Sequence, residues 1–274
     1  MSQKLKIFLA QMNPIGGDID GNFKKLKSAW ERASILNADI VVAPEMFLSG
    51  YPIDDLVLRE DFLLSIEKYL YNLSVLTVKG PAIICGAPRN DNGILRNSVF
   101  IMDKGEIIGF RDKAKLPNED EFYDNRQFMP GDLPGPILLR GIKFGIPICQ
   151  DIWDPEVCEC LTESGAEIIL SINGSTFNID KKDKRLNTVV SRAVENQIPF
   201  IYLNSVGGQD ELIFDGGSFA INMDGKLACQ LPMFETFDGL VEIENKSSNL
   251  YLHSSNLVED CSGYESLYSA ILLS

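Results

Sequence analysis

The chain has 274 residues, 45% of them hydrophobic and 23% charged, and 25 Lys and Arg against 39 Asp and Glu leave a net charge of −14. That length suits one large domain or two small ones, and the apolar content excludes a disordered chain. The acidic balance argues against nucleic acid as a partner, which needs a basic stripe, and no apolar run approaches the ~18 residues of a membrane span.

Leu5 to Met12 reads as a strand, and its interruption by Gln11 separates it from a secretory leader. Gly21 to Leu36 places Phe23, Leu26, Trp30 and Ala33 on one helical face. Asp39 to Ala43 is a short apolar strand ending at Pro44-Glu45, and Glu60 to Leu73 is a second helix. The strand Ala82 to Gly86 precedes a hairpin, Asn97 to Met102 and Glu106 to Phe110, turning at Asp103-Lys104-Gly105. A polar loop from Lys113 to Gly135 leads to strands at Ile137–Leu139 and Ile142–Ile148. Asp154-Pro155 is an N-cap followed by proline at the first helical position, and that helix ends at Gly165. Glu167 to Ile172 is a strand, Asp180 to Asn196 a helix, and Pro199 to Leu203 a strand. Strands at Gly217–Asn222, Leu227–Leu231 and Leu240–Ile243 follow, with a polar tail from Ser247 to Ser255. No linker, low-complexity tract or internal repeat is visible, so one α/β domain with two sheets covered by helices is expected.

Chemistry must run mainly on carboxylates, lysines and thiols, because His253 is the one histidine. The six cysteines, at 85, 149, 158, 160, 229 and 261, contain no C-x-x-C pair. With no export signal they are expected as reduced thiols in the cytoplasm. Cys158 and Cys160 point about 200° apart on a helix, which suits packing and not a shared metal ion. Gly207-Gly208-Gln209-Asp210 has the look of a phosphate loop but lacks the following helix, so it reads as a strand-connecting loop.

Three residues close or follow strands where α/β folds place reactive groups: Glu45, Lys113 and Cys149. Each alone has an ordinary reading, as a solvated carboxylate, a surface charge and a packing thiol. Together they supply a base for a thiol, a cation for an oxyanion and a nucleophile, which is the set needed to hydrolyse an amide through a thioester.

The surrounding residues narrow this. Pro44-Glu45-Met46-Phe47-Leu48-Ser49-Gly50-Tyr51-Pro52, Lys113-Ala114-Lys115-Leu116-Pro117-Asn118 and Cys149-Gln150-Asp151-Ile152-Trp153 resemble, in the same order, the three catalytic segments of the nitrilase superfamily of carbon–nitrogen hydrolases. Val206 to Ser218, VGGQDELIFDGGS, is similar to a stretch of the glutamine-hydrolysing domains of glutamine-dependent NAD synthetases. The resemblance implies an α-β-β-α sandwich with Glu45 as general base, Lys113 as oxyanion cation and Cys149 as nucleophile. It implies glutamine, or a related small amide, as substrate, with the ammonia destined for NAD synthesis from deamido-NAD.

Substrate contacts are expected from Glu119, Gln150, Trp153, Ser175 and Phe177. Gln150 and Glu119 stand where the family has Glu and Tyr, which brings a different amide substrate into consideration. Glu121 or Asp124 is expected to act as an auxiliary acid beside the lysine. The resemblance further implies no cofactor or metal for the hydrolytic step, with ATP, magnesium and a NAD precursor belonging to a separate synthetase domain as partner. It implies a homo-oligomer as well. Residues 1–260 are then the hydrolase domain, and 261–274, with Tyr264, Leu267, Tyr268, Ile271 and Leu272 on one face, begin a connecting helix to that domain. The alternatives are a stand-alone amidase acting on another small amide, or an impaired domain kept for assembly.

Overall fold

The structure, a computed structural model, describes residues 4–119, 122–179, 181–246, 249–258 and 263–273. The chain runs through β1 (Lys4–Gln11), α1 (Ile19–Ile35), β2 (Ile40–Val42), α2 (Glu60–Leu76), β3 (Ala82–Asp91), β4 (Ile94–Asp103) and β5 (Glu106–Asp112). A small hairpin, β6 (Asn118–Glu119) and β7 (Phe122–Tyr123), precedes β8 (Ile137–Leu139), β9 (Ile142–Gly145), α3 (Pro155–Glu163), β10 (Ile168–Asn173) and α4 (Lys181–Glu195). Then come β11 (Phe200–Asn204), β12 (Val206–Gln209), β13 (Leu212–Asp215), β14 (Phe219–Ile221) and β15 (Leu227–Gln230). The last elements are β16 (Phe237–Lys246), β17 (Asn249–His253) and α5 (Tyr264–Leu273).

Two mixed sheets carry the fold. The seven-stranded sheet is ordered β17-β16-β1-β2-β3-β4-β5, and the six-stranded sheet β15-β14-β11-β10-β9-β8. Each is built on a parallel trio, β1-β2-β3 in one and β9-β10-β11 in the other, extended by antiparallel neighbours. Strands buried on both faces need apolar side chains at consecutive positions, which is why these trios read as unbroken apolar runs.

The alternation along β1 shows how the layers assemble. Leu5, Ile7 and Leu9 point into the seam between the sheets, where they meet Ile40, Phe144, Ile148, Leu170 and Ile172. Phe8 and Ala10 point the other way, onto Leu26, Ala29 and Ala33 of α1 and Ile66 and Leu70 of α2. On the far side Ile169, Phe200 and Tyr202 meet Val157 and Leu161 of α3 and Val189 and Ala193 of α4. The result is the expected α-β-β-α sandwich, each buried Leu or Ile contributing ~1.5–3 kcal/mol. The Asp154 side chain caps α3 by accepting from Glu156 N at 3.0 Å, with Pro155 at the first helical position.

Three segments differ from the sequence reading. Residues 206–215 form a two-stranded hairpin, β12 with β13, and not a plain loop, because Gly207 lets the chain hug Asn13 while the ladder closes. The tail 247–255 contains β17, an edge strand that pairs with β16 and buries Leu250 and Leu252 on alternate positions. His253, on that strand, is half exposed beside Glu244. In α5 the inward positions are Ser266 and Ala270, while Tyr264, Tyr268, Ile271 and Leu272 face outward, so the apolar stripe is exposed. Cys261 lies outside the described residues.

The end of β2 is locked to β3 at one glycine. Ala43 N donates to Ile84 O at 2.8 Å, and Gly86 N donates to Pro44 O at 3.2 Å. A Cβ on Gly86 would sit 2.4 Å from Met46 N and 2.6 Å from Pro44 O, both backbone atoms that cannot swing aside. Gly86→Ala is therefore expected to lower stability by about 1–3 kcal/mol in urea unfolding. Gly135→Ala, whose added carbon meets nothing within 4 Å, should stay within about 0.5 kcal/mol of wild type. Equal losses in the two variants would contradict the steric argument.

Candidate active site

The strand ends converge on one buried cluster. Glu45, just past β2, is 0% exposed, Lys113, just past β5, is 1% exposed, and Asp124 is 4% exposed. Lys113 Nζ donates to Glu45 Oε1 at 2.7 Å and to Asp124 Oδ2 at 2.8 Å, so one cation lies between two carboxylates. Burial pushes the Lys113 ammonium toward its neutral form, but the charges of Glu45 and Asp124 outweigh it and its pKa lies above the ordinary lysine value.

Both carboxylates of the cluster are further engaged. Glu45 Oε1 also accepts from Asn97 Nδ2 at 2.8 Å, and Oε2 accepts from the backbone N–H of Gly174 at 2.8 Å. A carboxylate has about four acceptor positions, so three bonds leave one on Oε2 for a proton. Asp124 Oδ1 accepts from the Tyr51 hydroxyl at 2.6 Å. Burial and the neighbouring carboxylates raise the Tyr51 pKa well above the usual phenol value, which keeps it a donor.

Cys149 joins this cluster from the opposite sheet. It opens a 3₁₀ turn, Cys149–Ile152, after Ile148 bridges to Ile172. The Cys149 φ of 43° lies in the left-handed region, a conformation that costs about 1–3 kcal/mol in a non-glycine residue and recurs at functional sites. Its charge bears on the ionisation of Lys113, Tyr51 and Tyr202, which puts it within electrostatic reach of all three. Three other thiols, Cys85, Cys158 and Cys229, are different. Burial raises the pKa of Cys85, pushes Cys158 up to about 12 and Cys229 up to about 11, and so holds them protonated, whereas Cys149 is only half buried.

The comparisons with known proteins concern the chain as a whole. The Carbon-nitrogen hydrolase family profile matches residues 6–244. The chain belongs to the carbon–nitrogen hydrolase family. It is 36% identical over 273 residues to a glutamine-dependent NAD(+) synthetase of Rhodobacter capsulatus, covering 100% of this chain and 50% of that protein. Among solved structures it superposes on a glutamine-dependent NAD+ synthetase from Acinetobacter baumannii with a TM-score of 0.93 and 30% identity, over 99% of this chain and 51% of the other. An amidase from Nesterenkonia sp. shares the fold at a TM-score of 0.77 and 24% identity, over 89% of this chain and 91% of that one. The chain thus spans about half the length of the synthetases it matches.

In this carbon–nitrogen hydrolase the remaining expected residues fall in different places. Of the two auxiliary acids, Asp124 is the one seated on Lys113, while Glu121 lies outside the described residues. The Glu119 backbone belongs to the β6–β7 hairpin, and its side chain is likewise outside the description. Ser175 is buried next to Gly174, and Phe177 is half buried, edge-on to Phe234 at 5.3 Å. Trp153 packs toward α3 and α4 with Ile152 and Val157. Gln150 instead lines an open hollow of about 380 Å³ with Ala114, Lys115, Leu116, Asn125, Pro130 and Asp154. Ala114 and Gln150 adjoin Lys113 and Cys149 in sequence, so this hollow borders both of those segments. No helix among the described residues is long and apolar enough to cross a membrane.

Sequence reasoning missed the residues that hold these groups, above all Asn97 and Asp151. Asp151 Oδ1 accepts from Ala114 N at 3.0 Å and Lys115 N at 2.7 Å, and its Oδ2 accepts from Ile148 N at 2.9 Å. One carboxylate therefore ties the Cys149 turn to the Lys113 segment. Its place two residues after the cysteine was the available signal.

Burial pushes the Asp151 pKa from 3.8 up to about 6, against the pull of those backbone donors. The native state then holds this proton more tightly than the unfolded chain. The contribution of Asp151 to stability is fullest below pH 3.8 and is lost as pH rises through about 6. The stability of wild type minus that of Asp151→Asn should fall by about 2–3 kcal/mol from about pH 4 to about pH 7. A pH-independent difference in urea unfolding would refute this.

Proposed function

We propose that the chain hydrolyses the side-chain amide of glutamine to glutamate and ammonia through a thioester on Cys149. The observation that carries this reading is the buried Glu45–Lys113–Asp124 cluster set against a half-exposed strand-end thiol in a carbon–nitrogen hydrolase. The Cys149 sulfur attacks the amide carbon as Glu45 takes the thiol proton. Two of the three Lys113 N–H bonds are spent on carboxylates, which leaves the third for the developing oxyanion. Glu45 then passes its proton to the departing nitrogen, and ammonia leaves with the C–N bond broken. A water molecule, deprotonated by the same carboxylate, adds to the thioester carbon and releases glutamate and the thiol. Asp124, held by Tyr51, keeps the ammonium charged and aimed; it is a positioning group in this scheme.

The similarity to glutamine-dependent NAD synthetases supports NAD synthesis as the destination of the ammonia. In this reading residues 1–260 are the hydrolase domain, 261–274 begin a connecting helix, and an ATP-dependent synthetase domain is the partner. A second reading, a small-amide hydrolase with another substrate, is favoured by one feature, the uncharged Gln150 beside the nucleophile.

Ammonia release measured on glutamine, asparagine and simple amides separates the two. Glu45→Gln is expected to keep the fold and lower kcat by about 10²–10⁴-fold, and Cys149→Ala to abolish turnover. Turnover of a simple amide but not of glutamine would select the second reading. A folded Glu45→Gln variant at near wild-type rate would remove Glu45 from the mechanism.

A further inference from the structure

A second buried ion pair lies behind the first. Arg185 of α4 is 4% exposed and Asp215, at the end of β13, is 0% exposed. The guanidinium forks onto the carboxylate, Nη1 reaching Oδ1 at 2.8 Å and Nη2 reaching Oδ2, and it also donates to the Tyr202 hydroxyl. Asp215 Oδ1 accepts in addition from Asn204 Nδ2 at 3.1 Å.

Asn204, the last residue of β11, grips the turn that follows β10. Its Oδ1 accepts from Ser175 N at 2.9 Å, and its Nδ2 donates to Ser175 O at 3.0 Å. The preceding residue in that turn is Gly174, whose N–H is on Glu45. The Ser175 side chain meanwhile bonds the Tyr202 hydroxyl. An amide side chain can be turned end for end, and only one orientation fits both neighbours here. Three acceptors, the Asp215 carboxylate and the carbonyls of Ser175 and Gly216 (3.2 Å), take the NH₂ end, so the oxygen end meets the Ser175 N–H.

We propose that Arg185 is a positioning residue that, through Asp215 and Asn204, fixes the 173–176 turn so that the Gly174 N–H stays on Glu45. The planar fork sets the plane of the Asp215 carboxylate, the carboxylate anchors the NH₂ end of Asn204, and Asn204 grips the turn. A lysine would supply the charge without the fork. This inference rests on reading Glu45 as the base.

Amide hydrogen exchange and turnover per alkylatable Cys149 test it together, since a loss of folded protein lowers the number of sites and not the rate of each. In wild type the Gly174 and Ser175 amides should exchange as slowly as those of Leu170 and Ile172 in β10. In Arg185→Met they should exchange at least about tenfold faster with β1 unchanged. Turnover per site should fall about tenfold or more, with KM for glutamine within about threefold of wild type. Arg185→Lys should be intermediate, and it is the working variant if Arg185→Met does not fold. Fast exchange at Gly174 in wild type, or wild-type exchange and turnover in either folded variant, overturns the inference. A wild-type protein inactive on every amide would instead defeat the hydrolytic reading, while the exchange data would still judge the positioning.

Discussion

One ammonium ion between two carboxylates, all three buried, is the constraint to which the site is built. Taking ions of this kind out of water carries a penalty of several kcal/mol for each, and only close, complete pairing offsets it. Lys113 meets that demand with bonds to Glu45 and Asp124, but the pairing leaves further lone pairs on both acids. Asn97, Gly174 and Tyr51 supply the missing donors. Each comes from a different stretch of chain, so the cluster is satisfied only when β2, β4, β10 and the segments around them are all in register.

That dependence explains why the sandwich matters to the chemistry. Glu45 and Lys113 are delivered by the seven-stranded sheet, while Cys149 and Gly174 are delivered by the six-stranded one. The bond from Gly174 to Glu45 crosses between the sheets, and Asp151 crosses again from the Cys149 turn to the Lys113 segment. The apolar seam holds the sheets face to face, and the polar bonds at its end set the relative position of the Cys149 turn and Glu45. Dispersion and burial are not directional enough to do the second task, whereas a hydrogen bond within 3 Å is.

The layers and the placement of Glu45, Lys113 and Cys149 at strand ends were legible in the sequence because they leave periodic or local marks. A parallel strand buried on both faces is a run of apolar residues, and the group at its end is the first polar residue after the run, as with Glu45 and Cys149. The Asp154-Pro155 cap is equally local. The supporting polar groups leave no such mark. Asn97 pairs with Glu45 across 52 positions, Gly174 across 129 and Arg185 with Asp215 across 30, and nothing in the composition of either partner announces the other. β17 was hidden for a different reason. Its Leu250 and Leu252 alternate with polar residues inside a polar stretch, a pattern too short to stand out from a tail.

The second ion pair shows what such hidden residues contribute. Replacing a buried pair by apolar side chains of similar size is often neutral or stabilising, so Arg185 and Asp215 are poorly explained by stability alone. Their geometry answers a directional need. Asn204 contacts a carboxylate, two carbonyls and a backbone N–H, and Asp215 is the charged acceptor that anchors its NH₂ end. An apolar core would hold α4 against β11 as firmly as this pair does, since Val189 and Ala193 already pack there. It would leave the Asn204 NH₂ group without that anchor. The polar layer behind the site therefore supplies directed bonds that packing cannot, and it does so from behind the turn that Asn204 holds.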